Sequence, residues 1–512
     1  MTIQVNKWNY FELELKAWAS GNPFLDVTLE ATFTHQHRSV RVAGFYDGDG
    51  VYKIRFMPDI EGDWRYVTHS NLRALDNQSG HFECIPSLPG NHGPVRVVDR
   101  FHFAYADGTP YHPVGTTCYV WNLQGDELEE QTLRTLRQAP FNKMRMCVFP
   151  KRYSFNFNEP PCYPFEGELK QEWDPTNLYN LRAPAPKHNW DFTRFNPAYF
   201  RHLEKRILDL RELGIEADLI LFHPYDFGAW GFDKMPPEVN DRYLRYLIAR
   251  VSAFSNVWWS LANEYDLMLH LTLADWDHFF QLIQDADPYD HLRSIHNCHG
   301  FYDHGKPWVT HCSIQHHDLT LVPTWLQQYN KPVIVDECGY EGDIYMSWGD
   351  LSAQELVHRF WLGFAAGGYV GHGETYLNDE QRLWWSKGGT LSGDSPARIA
   401  FLRQIIEATP APGLFPAPLR TFGAGNTGNW IMPGGLPHHR AGSYQGTEYY
   451  LIYYGTHQPR YQQFSLPPGT YRIDIIDAWN MTVERFMDAA SGDVRVEFPR
   501  KQFLACRIER NK

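Results

Sequence analysis

Two glutamates close apolar runs. Glu264 ends the run Val257-Trp258-Trp259-Ser260-Leu261-Ala262-Asn263, and Glu337 ends Pro332-Val333-Ile334-Val335-Asp336. An apolar run of this length, ended by a charge, fits a parallel strand buried on both faces. Such a strand delivers its last side chain to the rim of the sheet, where α/β folds bind ligands. Two carboxylates delivered this way suit the acid and the nucleophile of glycoside hydrolysis. One of them must hold a proton near neutral pH, helped by the negative charge of the other. That other must stay ionised, which calls for a cation nearby.

The elements that would position this pair are legible around it. Runs at 112–118, 142–148, 215–221, 256–263, 292–296, 308–315, 332–337 and 368–372 read as strands alternating with helices, and eight is the number that closes a (β/α)₈ barrel. Asn196-Pro197 opens a helix with Phe200, Leu203, Ile207 and Leu210 on one face, and Gly214 stops it. Ser352-Ala353-Gln354-Glu355 reads as a capping box, and Ser395-Pro396 opens a last helix to about Glu407. Residues 1–95 read as an N-terminal β-sandwich with a hairpin turn at Asp47-Gly48-Asp49-Gly50. The stretch Pro89-Gly90-Asn91-His92-Gly93-Pro94 marks its boundary with a barrel over 96–411. Residues 412–512 are β-rich again and read as a C-terminal β-sandwich. The expected class is therefore α/β, a TIM barrel flanked by two β-sandwiches. The long segment 149–195, with Trp173 and Trp190, is placed to form a lid or wall.

The stretches Trp-Ser-Leu-Ala-Asn-Glu and Pro-Val-Ile-Val-Asp-Glu resemble the paired glutamates of the clan A retaining glycoside hydrolases, the cellulase-like family 5 and its relatives. The flanking domains resemble those of family 5-like glycosidases with a sandwich on each side of the barrel. The resemblance implies that Glu264 is the acid/base, that Glu337 is the nucleophile and that Asn263 binds the sugar 2-hydroxyl. It also implies that Arg145, on the second strand, keeps the nucleophile ionised, and that His223, ending the third, contacts the sugar. Trp121 and Tyr119, after the first strand, are expected to form the sugar platform; Asp226 and Trp230 are further candidates. The sequence departs from the pattern at strand six, which reads Cys312-Ser313-Ile314-Gln315-His316-His317 where a tyrosine is usual. It departs again at strand eight, which reads Gly371-His372-Gly373-Glu374-Thr375-Tyr376 where a tryptophan is usual. His316, His372 and Glu374 are accordingly expected to select sugar hydroxyls.

Bulk properties narrow the field. A net charge of −13 with no basic run argues against nucleic acid and anionic membranes as partners. Aromatic residues make up 15% of the chain, a composition suited to stacking on sugars and to filling cores. No signal peptide is legible at the N-terminus and no apolar stretch reaches the roughly 18 residues of a membrane span, so a cytoplasmic location is expected. Eight cysteines without paired spacing predict neither disulfides nor a zinc site. Cys118, Cys147, Cys298, Cys312 and Cys338 read as small buried hydrophobes. No cofactor is expected. The expected substrate is an oligosaccharide or small glycoside, cleaved from its end; oligomeric state is not legible. Two rivals belong to other classes. One is a metal-dependent barrel hydrolase using His296, His299, His304, His311, His316 and His317; the other is an inactive carbohydrate-binding scaffold.

Overall fold

At the centre lies a ring of eight parallel strands: β1 Val114–Thr117, β2 Lys143–Cys147, β3 Glu216–Phe222, β4 Val257–Ala262, β5 Arg293–Ser294, β6 Cys312–Gln315, β7 Val333–Glu337 and β8 Tyr369–His372. Hydrogen-bonded neighbours run β5-β4-β3-β2-β1-β8-β7-β6, and a bridge between His296 and Ser313 closes the ring. The computed structural model describes residues 3–156, 159–168, 188–226, 229–378, 382–416, 440–444 (backbone only) and 448–511. Every residue of β1 to β4, β7 and β8 is buried, which is why β4 and the start of β7 are apolar without alternation, whereas β2 and β3 enclose Lys143, Arg145, Glu216 and Asp218 in the barrel. The expected (β/α)₈ barrel with a β-sandwich at each end is the observed fold.

The helices begin where the sequence signals them. Asn196 caps Pro197–Glu212 by accepting the Ala198 N–H, the face Phe200, Leu203, Ile207 and Leu210 is buried, and Gly214 turns the chain at φ 70°. Ser352 accepts the Glu355 N–H at 3.2 Å, but the Glu355 carboxylate goes to Arg359 instead of back to the cap, so half of the capping box forms. The last helix spans Ser395–Glu407. One βα unit is incomplete: β5 has two residues and no helix follows in 295–311. There the Asp266 carboxylate accepts the N–H groups of Cys298, His299 and Gly300 at 2.6–2.9 Å, so a side chain satisfies backbone donors that a helix would otherwise occupy.

A small sheet of Val95–Val98, His102–Tyr105 and Pro110–Tyr111 plugs the N-terminal end of the barrel. Its Phe103 ring sits 5.4 Å from Trp258 and 5.6 Å from Tyr369, both at strand starts. The opposite, C-terminal end is left to bind ligands. The N-terminal sandwich packs a five-stranded sheet on a three-stranded one, with Phe33 stacked on Phe56 at 4.1 Å. Phe45–Gly48 and Val51–Phe56 form the expected hairpin. The sandwich is fastened to the barrel by Arg250, which reaches Glu204 and lies 2.8 Å from Asp47, and by Arg55, 3.0 Å from Glu204. At the other end six strands pair with a two-stranded sheet across a shared core. Tyr453 there stacks on Trp361 at 5.4 Å and bonds His358 at 3.0 Å. Among the described residues no helix is long and apolar enough to cross a membrane.

Because Glu204 and Asp47 are buried with Arg250, removing the cation leaves carboxylates with reduced compensation. Arg250→Met should destabilise the fold by about 3 kcal/mol, seen as a lower denaturant midpoint by fluorescence.

Candidate active site

β4 ends at Ala262, and the two residues beyond it carry the first half of the site. Asn263 is fully buried. Glu264 takes a left-handed backbone at φ 49°, ψ 53°, a conformation that costs a non-glycine residue on the order of 1 kcal/mol and clusters at functional sites. β7 ends on Glu337. The two carboxylates are nearly covered, at 9% and 8% exposure, and one polar network joins them. Arg145, from β2, donates to Glu337 Oε1 at 2.9 Å and to Asn263 Oδ1 at 2.7 Å. The Tyr119 hydroxyl donates to Glu337 Oε1 and lies 3.2 Å from Asn263 Oδ1. The Asn263 amide donates to the Tyr225 hydroxyl at 3.1 Å, and that hydroxyl donates to Glu264 Oε2.

The two glutamates are pushed in opposite directions. Burial, reinforced by the charge of Glu337, raises Glu264 to about 7. Burial would also raise Glu337, but His296, Arg145 and the Tyr119 hydroxyl outweigh it and hold the carboxyl below its ordinary value. His296 stands 3.9 Å from Glu337, yet its own burial keeps it neutral down to about pH 4. At neutral pH the ionised state therefore rests on Arg145 and Tyr119. Beneath the pair, Lys143 lies 2.6 Å from Asp218 and 2.8 Å from Asp336, and Ser313 donates to Asp336 at 2.6 Å.

The carboxylates open into a cavity of about 980 Å³. Its inner wall is aromatic: Tyr119, Tyr153, Tyr225, Tyr340, Trp348 and Trp385, with Lys151 among them. Trp385 comes from beyond β8 and is held by backbone bonds, Tyr119 N–H to Trp385 O at 3.0 Å and Val120 N–H to Ser386 O at 2.9 Å. Trp348 packs 4.9 Å from it. Gly339, at φ 89°, makes the turn that carries the chain from Glu337 to Tyr340; a Cβ there would meet Leu351 at 2.8 Å. Cys298, His299 and Gln315, from the ends of β5 and β6, line another side. Cys298 is thus a half-buried thiol on the cavity wall and not the buried hydrophobe expected, whereas Cys118, Cys147, Cys312 and Cys338 are buried; all eight cysteines are free.

Residues 99–390 match the family described as "Apiosidase-like, catalytic domain". The chain belongs to the apiosidase-like family. Outside the catalytic domain of this family, residues 4–71 and 438–509 match two domains of unknown function, DUF5060 and DUF5605. A crystal structure of a candidate glycoside hydrolase from Bacteroides vulgatus ATCC 8482 is similar over 100% of both chains, at 40% identity and a TM-score of 0.89. A glycoside hydrolase family 5 structure from the same organism is similar at 15% identity and a TM-score of 0.59, covering 83% of this chain and 95% of its own. A further structure described as a glycoside hydrolase covers 83% of this chain and 98% of its own, at 14% identity and a TM-score of 0.61; these last two likenesses concern the fold alone. No curated protein matches. The resemblance to clan A glycoside hydrolases is borne out by the family and by the full-length similarity to the candidate glycoside hydrolase, and the barrel fold by the other two structures.

Within this member of the apiosidase-like family, several residues read from the sequence as sugar contacts lie away from the cavity. Trp121 is fully buried in a short 3₁₀ turn, Trp121–Leu123, whereas Trp385 and Trp348 line the cavity. His372 bonds Thr116 at 3.0 Å and stacks on Phe141 in the barrel interior. Glu374 accepts the N–H groups of Ser392 and Gly393, which makes it a loop clamp. His316 accepts the Asp318 N–H and packs on Trp325. His223 accepts the Tyr225 N–H at 3.2 Å and reaches the Phe149 carbonyl, so it holds Tyr225 and stays outside the cavity lining. Asp226 ties the backbone of Trp230 and Phe232, and Trp230 is buried beside Trp190. Trp173 lies outside the described residues.

The histidines between 296 and 317 do not join with cysteine or carboxylate side chains in a metal-binding group among the described residues. The group of that type that does form, Asp126, Glu129 and His202, already surrounds the Arg206 guanidinium, 2.5 Å from Glu129 and 3.0 Å from Asp126. Replacing Glu337 by Gln should lower the Glu264 pKa, since the neighbouring negative charge that reinforces burial is gone. Infrared or NMR titration of Glu264 in Glu337→Gln, showing a midpoint below about 7, is the check.

Proposed function

We propose that the protein is a retaining glycoside hydrolase. It cleaves a β-glycosidic or α-L-arabinofuranosidic bond in an oligosaccharide or small glycoside by double displacement. The observation that carries this reading is the pair of opposed carboxyls on one network, Glu264 raised to about 7 and Glu337 held ionised beside Arg145. Glu337 attacks the anomeric carbon while Glu264 gives its proton to the departing oxygen. Once the glycosyl ester forms, Glu337 no longer carries charge, one of the causes that raised Glu264 disappears, and the same residue takes a proton from the attacking water. In this reading Asn263, held by Arg145 and Tyr225, gives its remaining amide N–H to the sugar 2-hydroxyl. Trp385 and Trp348 offer faces for C–H stacking. Family membership and the full-length similarity to a candidate glycoside hydrolase support the class of reaction. A cavity walled by Lys151 and Tyr153 on one side and by Cys298, His299 and Gln315 on another favours a chain end over a polymer interior, so the action is exo.

Glu337→Ala should abolish turnover of every glycoside. Glu264→Ala should lose about 10²–10⁴-fold on substrates with poor leaving groups, keep much of its rate on nitrophenyl glycosides, and be rescued by azide with formation of a glycosyl azide. Equal and unrescued losses on all substrates would overturn the assignment. NMR of the first-formed sugar should show the anomer of the substrate. The pH profile should fall on the alkaline side near 7, where Glu264 loses its proton, and on the acid side as Glu337 gains one.

A further inference from the structure

The buried cations of this protein are answered by carboxylates. Arg55 and Arg250 share Glu204, Lys143 lies between Asp218 and Asp336, Arg145 meets Glu337, Arg206 meets Glu129, and Arg293 meets Asp290. Lys151 departs from this rule. It is 1% exposed, and no carboxylate among the described residues lies within ion-pair distance of its ammonium. What surrounds the ammonium instead is a cage of rings, with centroids at 3.5 Å for Tyr119, 4.1 Å for Tyr225, 4.3 Å for Trp385 and 5.2 Å for Tyr153. Ring faces attract a desolvated cation, by about 2 kcal/mol at best for one ring, against a desolvation cost of several kcal/mol. The imbalance registers in the group itself: burial draws Lys151 down to about 8, although Glu337 and Glu264 pull it the other way from a distance.

The open side of the cage is the cavity, which Lys151 lines together with Glu264 and Glu337. Arg145 is already committed to Glu337, and of the two lysines that line the cavity Lys234 is exposed to solvent, so Lys151 is the desolvated cation left for a ligand. A neutral sugar would leave the ammonium with hydroxyl partners and no counter-charge. An anionic one would complete a charge pair in a site shielded from water, where such pairs are strongest. We propose that Lys151 is the counter-ion for an anionic substituent of the bound sugar, a uronate carboxylate or a sulfate ester. This names the substrate class of the glycosidase proposed above and rests on that reading for its catalytic meaning, but not for its binding.

Calorimetry with the whole protein tests it. Glucuronate, galacturonate and galactose 6-sulfate are titrated beside glucose and galactose. At least one anion should bind tenfold or more tightly than its neutral parent, and Lys151→Met should erase that difference while Lys151→Arg keeps part of it. A preference confined to the uronates or to the sulfate identifies the source of the charge. Anions that bind no better than their parents, or a preference that survives in a folded Lys151→Met, would overturn the proposal. Turnover of nitrophenyl glucuronide and galacturonide beside the glucoside and galactoside separates the two readings. Cleavage of neutral glycosides with no gain for the acidic ones removes the Lys151 proposal and leaves the glycosidase. A lysine-dependent binding preference with no cleavage of these, nor of the nitrophenyl xyloside, mannoside and α-L-arabinofuranoside, leaves the proposal and removes the glycosidase.

Discussion

Charge buried in the barrel has to be answered, and that requirement organises the catalytic end of this molecule. β2 sends Lys143 and Arg145 inward, and β3 and β7 send Asp218, Asp336 and Glu337 to meet them. Neither cation can be removed without leaving carboxylates uncompensated in a water-poor interior. The cluster therefore fixes the relative height of β2, β3 and β7. By fixing Arg145 it also fixes both Glu337 and the Asn263 amide. Glu264 is held from a different direction, by its left-handed backbone and by Tyr225. The electrostatic asymmetry between the two glutamates follows from that difference in support: one has a cation at hydrogen-bond distance and the other has a phenol.

β4 and β7 were legible because a strand buried on both faces reads as a near-continuous apolar run, and the charged residue that ends such a run stands out. Glu264 and Glu337 were therefore readable from the sequence, whereas Arg145, in the middle of β2, was singled out by the family resemblance alone. β5 was overestimated because its apolar neighbours belong to a loop pinned by Asp266, a tertiary bond that leaves no periodic trace. The cavity wall was less readable for the same kind of reason. Lys151, Tyr225, Tyr340 and Trp385 sit on loops, and their places depend on contacts to chain far away in sequence. The backbone tie between Tyr119 and Trp385 is one such contact.

Polar residues at strand ends misled where the fold needed them for itself. His372, Glu374 and His316 carry the chemistry that sugar recognition uses, yet each is engaged by the protein's own backbone or by a buried hydroxyl. A strand end signals proximity to the mouth of the barrel; which way a side chain faces is decided by local packing. The tryptophan missing from β8 shows the converse. A tryptophan that does line the cavity is Trp385, thirteen residues beyond the strand, where no motif built on strand ends would search for it.

The tie between Tyr119 and Trp385 has a consequence for how the site comes into being. It joins the connection after the first barrel strand to the one after the last, so the aromatic wall spans almost the whole catalytic domain in sequence. Contacts of such separation pay their loop-closure entropy before they return any stabilisation, and they are late events in assembly. During synthesis the glutamate that ends β4 is made long before the ring that will face it. A chain stopped after β7 would carry both carboxylates and lack Tyr340, Trp348 and Trp385 of the cavity wall. Competence to bind then arrives with the closing of the barrel and not by degrees.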